Sequence, residues 1–215
     1  MSNPTTPASI GPGEFFPVVG VGPHETPWPE GAHYDPELLL NGDRRNVLDH
    51  YRYWTVEAIV ADLDSKRHKL QIAIENWQHD LNIGSIVRTA NAFNVSGVHI
   101  VGKRDWNKRG AMVTDRYLTV HHHPTVEDFA LWCKENELPI IGIDNVPGSK
   151  QLESAQLPEK CVFLFGQEGA GMSDEGIAVC EVLYEINQYG STRSMNASAA
   201  GAIAMYHWAL QHLPR

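Results

Sequence analysis

Apolar residues recur along this chain with two different periods, and the switches between them mark out its elements. From an N-cap at Asn41 or Asp43, Val47, Leu48, Tyr51, Trp54, Ala58 and Ile59 follow helical spacing and predict a helix to about Asp62. Leu70 to Glu75 alternates as a strand does, and Asn76 to Asn82 is a polar loop. The spacing then predicts a helix over Gly84 to Asn94, with Ile86, Val87, Ala90 and Phe93 inward, and a short strand over Val98 to Val101. Glu127 to Asn136 reads as a helix and Pro139 to Ile143 as a strand. Cys161 to Phe165 is an unbroken apolar run, fit for a strand buried on both faces. A short helix at 174–180, a strand at Val182 to Ile186 and a terminal helix from Met195 to Leu213 complete the pattern. Strands alternating with helices predict an α/β fold, a mainly parallel sheet with helices on both faces.

Ahead of this pattern, residues 1–36 are rich in Pro and Gly and have neither period, so they read as an extended arm, partly disordered or draped on the body. Phe15-Phe16, Trp28 and Tyr34 give that arm rings with which to dock on the fold or on a partner. The organisation expected is an arm over 1–40, a helical segment over 41–69 and a domain carrying the chemistry over 70–215. At 215 residues, 42% hydrophobic and 20% charged, the chain is that of a soluble globular protein. No apolar run approaches the roughly 20 residues that span a bilayer, and the N-terminus lacks the pattern of a signal peptide. Cys133, Cys161 and Cys180 are odd in number and form no CxxC pair, which points to reduced thiols in the cytoplasm and not to a structural zinc site.

The net charge of −9, from 17 basic and 26 acidic residues, is unusual for a nucleic-acid binder. Its distribution softens that objection. Arg44-Arg45, Lys66-Arg67-His68-Lys69, Lys103-Arg104 and Lys108-Arg109 are compact basic clusters able to meet phosphates, or equally to be solvated surface.

In open α/β sheets ligands bind beyond the carboxyl ends of strands. Three loops leave predicted strand ends with suitable chemistry: Asn76 to Arg88, Gly166 to Gly171, and Asn187 to Asn196. In the first, Asn82 opens a helix, Arg88 lies nearly two turns in, and Gly84 permits close approach. Arg88, among apolar neighbours near a strand end, is suited to a carboxylate or a phosphate. In the second, three glycines surround Glu168; this is neither a P-loop nor GxGxxG, and a plain glycine turn is the competing reading. In the third, Ser194 or Asn196 either caps the terminal helix or helps to hold a polar ligand. His121-His122-His123 alternate across an extended segment, which does not suit one metal ion, and none is expected. His79, in the first loop, is read as a surface histidine.

Taken together, Asn82-x-Gly84-x-x-x-Arg88-Thr89-Ala90, Gly166-x-Glu168-x-x-Gly171 and Ser194-Met195-Asn196-Ala197-Ser198, in that order, resemble the three motifs of the SpoU/TrmH-type SPOUT methyltransferases. The resemblance covers roughly residues 70–212. It implies a SPOUT-type fold with a C-terminal trefoil knot, a homodimer, S-adenosylmethionine as cofactor, and methylation of the ribose 2′-hydroxyl of tRNA or rRNA, with no DNA and no membrane as partner. It implies Arg88 as principal catalytic residue, with Asn82, Glu168, Ser194 and Asn196 arranging the ribose. Gly166, Gly171, Ile186 and Met195 would line the cofactor pocket, with Asp144 near it at the end of another strand. The chain departs from the family pattern at Asn187, where proline is usual, at Met195 for leucine and at Ala197 for valine. Two other readings compete: a SPOUT-like RNA-binding protein without catalysis, and a dinucleotide-dependent oxidoreductase, which the lack of GxGxxG after the first strand disfavours.

Overall fold

The computed structural model describes residues 20–78 and 82–214, so Phe15, Phe16 and His79 lie outside the described residues. The chain divides into two compact units at Ile59 and Val60.

The first unit is organised by one buried carboxylate. Asp43 accepts from Arg45 Nε at 2.9 Å and Nη2 at 2.7 Å, and from the Tyr53 amide at 3.0 Å. Burial alone raises its pKa, but the hydrogen bonds from Arg45 and Tyr53 and the guanidinium charge override that and hold it at about 2. This knot of bonds is why the helix predicted from Asn41 or Asp43 to Asp62 does not form. The chain instead makes helix α1 (Pro36–Asn41), a 3-10 turn at Asp49–Tyr51 and helix α2 (Val56–Asp64), with Tyr53 at a φ of 63° between them. Asp35 caps α1 through the Glu37 amide, and Pro36 fits its first position. The described part of the arm is not a loose tail. Val21 bridges Asp43, Tyr34 bridges Trp54, and His33 packs 4.5 Å from the Trp54 ring.

The second unit holds a seven-stranded sheet in the order β3-β2-β1-β6-β4-β7-β5, with every neighbouring pair parallel. The strands are β1 (His68–Asn76), β2 (Val95–Gly102), β3 (Val120–His123), β4 (Ile140–Ile143), β5 (Lys150–Gln151), β6 (Cys161–Phe165) and β7 (Val182–Glu185). Helices α3 (Asn82–Ala92), α4 (Val126–Glu135), α5 (Asp174–Val179) and α6 (Ala197–His212) cover it. Alternation assigns side chains to two cores. Leu70, Ile72 and Ile74 join Cys161, Phe163 and Phe165 under α3 and α6, while Ala73, Val162 and Leu164 face α4 with Phe129 and Cys133. Gly84 serves a different approach from the one expected. A Cβ there would lie 2.7 Å from the Ala111 amide, so glycine lets α3 seat against the 107–111 backbone.

Parallel pairing puts all the strand carboxyl ends on one edge. Because β1 leads outward to β2 and β3 while β6, β4 and β7 lie on its other side, a crevice opens at that edge. No helix among the described residues is long and apolar enough to cross a membrane. Cys133 and Cys161 are buried and Cys180 is half-buried; burial pushes each thiol up to about 12.

Candidate active site

A cavity of about 380 Å3 sits at this edge, over the ends of β4, β6 and β7. Its walls come from Ile143–Val146, Phe165–Met172 and the stretch from Ile186 to Ala200. The size falls within the roughly 300–1,000 Å3 typical of small-molecule sites.

The glycine loop is pinned, not flexible. Gln167 and Gly171 exchange two backbone hydrogen bonds of 3.0 and 2.9 Å, closing a tight turn. Gly171 has a φ of 73°, and a Cβ at Gly166 would lie 2.1 Å from the Met172 amide nitrogen, so other side chains are excluded at both positions. Two carboxylates at strand ends hold the loop from beneath. Asp144 accepts the Met172 amide at 2.7 Å and the Asn145 amide at 2.8 Å. Glu75, fully buried, accepts the Ser173 amide at 2.8 Å and the Ser173 hydroxyl, while Ser173 caps α5. Sequence reasoning singled out Asp144 but missed Glu75. The signal was present: an acid directly after the apolar run Ile72-Ala73-Ile74 of a buried strand needs a buried partner.

At the mouth of the cavity the three motif loops meet. Asn82 donates through Nδ2 to Glu168, and Asn196 donates to Asn82 Oδ1 at 2.8 Å and to Glu168 Oε1 at 3.3 Å. Asn196 Oδ1 meanwhile accepts the Ser198 amide at 3.0 Å and the Ala199 amide at 3.3 Å. One end of the Asn196 carboxamide therefore caps α6 while the other ties it to Asn82 and Glu168. Ser194 lines the same cavity, as do Asp144, Gly166, Gly171, Ile186 and Met195. Asn145, Gln167 and Gln188 line it too, and sequence reasoning missed them.

Arg88 stands apart. It is exposed on α3, and no bond among the described residues engages its guanidinium with Asn82, Glu168, Ser194 or Asn196. Six residues beyond Asn82, it leaves the helix about 120° around the axis from that side chain.

The triple histidine lies elsewhere, at the β2–β3 side of the sheet. His99 Nδ1 is 2.9 Å from His123 Nε2 and His99 Nε2 is 2.7 Å from Gln71 Oε1, while His122 bonds the Gly102 carbonyl at 2.8 Å. These nitrogens are spent on hydrogen bonds within the protein.

Comparison with known proteins places this edge in context. A model described as the SpoU rRNA Methylase family matches residues 69–206. A tRNA (guanosine(18)-2'-O)-methyltransferase of Borreliella burgdorferi is 25% identical over 147 residues, 67% of this chain and 67% of that protein. The Escherichia coli protein of the same name is likewise 25% identical over 147 residues, and the chain spans 64% of its length. The solved TrmH/SpoU tRNA modifying enzyme of A. aeolicus shares the fold at 22% identity with a TM-score of 0.63, covering 73% of this chain and 83% of that one.

Proposed function

The chain belongs to the SpoU rRNA methylase family, and from that membership we propose that it transfers a methyl group from S-adenosylmethionine to a ribose 2′-hydroxyl of tRNA or rRNA. The observation that carries this reading is the junction of Asn82, Glu168 and Asn196 at the mouth of a cavity walled by glycine-loop backbone. The lining fits the cofactor: close-packed glycine backbone for a flat ring, and side-chain oxygens and amides for its hydroxyl and charged groups.

Bound there, S-adenosylmethionine would supply an electrophilic methyl group for the ribose 2′-oxygen, whose proton would pass to water. The protein's task is then positioning. Asn82, Glu168 and Asn196 fix one another where the ribose would enter, and the Ser194 hydroxyl lines the same cavity to meet its hydroxyls. Arg88 acts as a phosphate clamp, because a guanidinium stays protonated and grips phosphate oxygens in pairs. Its exposure and its distance around α3 from the carboxamide cluster suit an RNA backbone that lies across the helix while the ribose enters the cavity.

Charge supports the same partner. Arg45, Lys66, Arg67, Lys69 and Lys108 are paired with acids of the chain itself. Lys103 and Arg104, which follow β2 at the edge that carries the cavity, are exposed and carry no side-chain bond among the described residues, leaving them for phosphates. The homodimer belongs to this proposal, supported by an exposed apolar stripe on α6, as does the trefoil knot, supported by β7 pairing with β4 on the far side from β6. Three free thiols support a cytoplasmic protein. A division into an N-terminal segment and a methyltransferase domain completes it.

The test is transfer of labelled methyl from S-adenosylmethionine to purified tRNA and rRNA. Wild type is expected to label one nucleotide in a form that resists alkaline cleavage. Arg88→Ala is expected to lower turnover about a hundredfold or more while the cofactor still binds. Absence of both transfer and cofactor binding in the wild type would sink the proposal.

A further inference from the structure

The loop from Asn187 to Ser194 carries an aromatic ring that the fold does not use. Tyr189 is 92% exposed, more than any other large apolar side chain among the described residues. Among those residues it makes no ring contact and no hydrogen bond. Its loop is nevertheless held at both stems: the Asn187 amide donates to Glu153 Oε1 at 3.1 Å, and the Arg193 carbonyl accepts from Asn145 Nδ2. The neighbouring Gln188 lines the cavity, and so does Ser194, five residues beyond Tyr189. A ring displayed in water on fixed stems, beside the place where a ribose would enter, is pre-organised to receive a flat ligand.

We propose that Tyr189 is a stacking platform for a nucleobase of the RNA substrate, next to the ribose presented to Ser194 and Asn196. This inference rests on the reaction proposed above. The chemistry is that of single-strand recognition: every base has a π-face, and an accessible aromatic ring captures it whatever the base is. The Arg193 side chain, exposed and unbonded among the described residues, stands four positions along the same loop and supplies the cation for the adjoining phosphate. Tyr189 thus contributes to RNA affinity and register, and none of the cofactor's affinity depends on it.

The experiment compares wild type with Tyr189→Ala, Tyr189→Leu, Tyr189→Phe and Tyr189→Trp. Binding of labelled total tRNA and rRNA is measured by filter retention, cofactor affinity by calorimetry and oligomeric state by sedimentation. Tyr189→Ala and Tyr189→Leu are expected to weaken RNA binding and raise KM for RNA about tenfold, whereas the phenylalanine and tryptophan variants stay near wild type. Cofactor affinity should be the same in all five proteins. Wild-type RNA affinity in Tyr189→Ala, or full retention in Tyr189→Leu, would overturn the platform while leaving the methyl-transfer reading intact. Loss of RNA binding together with dissociation of subunits would also overturn it, assigning the ring to an interface between copies. A wild type that binds neither RNA pool would instead remove the reaction, and the platform with it.

Discussion

Asn187 stands where the family's third motif has proline, and the exchange brings in a donor that proline lacks. Its amide bonds Glu153 Oε1 at 3.1 Å. A proline stiffens this loop by fixing φ; here a charge-assisted hydrogen bond to a residue outside the loop does the equivalent work at the same point. Glu153→Ala should therefore loosen the cavity wall and weaken S-adenosylmethionine binding roughly fivefold, the effect of losing about 1 kcal/mol. Adding Asn187→Pro to Glu153→Ala should recover most of that affinity, which calorimetry on the three proteins would measure. If Glu153→Ala binds the cofactor as wild type does, the bond is incidental and the loop is held by other contacts. The same residue-level reading separates the legible parts of the site from the hidden ones. Asn82, Glu168, Ser194 and Asn196 announce themselves as polar residues on glycine-rich or helix-opening loops. Glu75 shows only that it needs a buried partner and Asn145 shows nothing, because Ser173 and Arg193 are distant in sequence and become their neighbours only when the parallel strands align.

Among the elements, the buried strands and the helices that cross between them were legible because two-sided burial writes an unbroken apolar run and one-sided burial writes a helical stripe. The predicted helix through residues 41–62 failed for a reason that periodicity cannot carry: a single buried carboxylate, Asp43, recruits Arg45 and Tyr53 and bends the backbone between apolar positions that happen to fall at helical spacing. The edge strand β3 was hidden in a different way. Its sequence, Val120 to His123, lacks the apolar alternation of a strand because histidines take the places of aliphatic residues, and they pack on His99 and Trp132. That substitution has a pH consequence. Burial, and then the nearby charges of His121 and His123, hold His99 down at about 2, and burial lowers His121 and His123 as well. Asp128 opposes the shift at His123 only. The folded chain thus refuses protons that the unfolded chain accepts below about 6.5. The stabilising contribution is complete above that pH and drains away as pH falls from 6.5 toward 2. Unfolding free energies from urea titrations between pH 6.5 and 4 should fall more steeply for wild type than for His99→Gln, by about 1.4 kcal/mol per pH unit for one proton. Parallel slopes would mean that His99 is charged in the folded protein or already neutral in the unfolded one.

At the scale of the whole molecule, the question is what covers α6. Its inward face is complete: Gly201, Ala204, Met205, Trp208 and Ala209 are buried. Yet Ile203, Tyr206 and Leu210, spaced three and four residues apart, leave 42%, 57% and 42% of their surface exposed on the opposite face. A monomer gains nothing from a continuous apolar stripe in water, whereas a two-fold axis through such a stripe pairs it with its own copy without any further surface. In the proposed homodimer, a stable interface of about 800 Å2 on each partner would have the stripe at its centre and flanking residues as its rim. Because Asn196 caps α6 and ties it to Asn82 and Glu168, covering the helix would also steady the carboxamide junction. Wild type at about 10 µM is therefore expected to sediment as a dimer. Ile203→Glu with Tyr206→Glu should sediment as a folded monomer, by circular dichroism, whose methyl transfer falls at least tenfold even at saturating cofactor. A wild type that is monomeric and fully active would show that α6 needs no cover and that one copy assembles the site alone. A dimer that survives both substitutions would move the axis to another face.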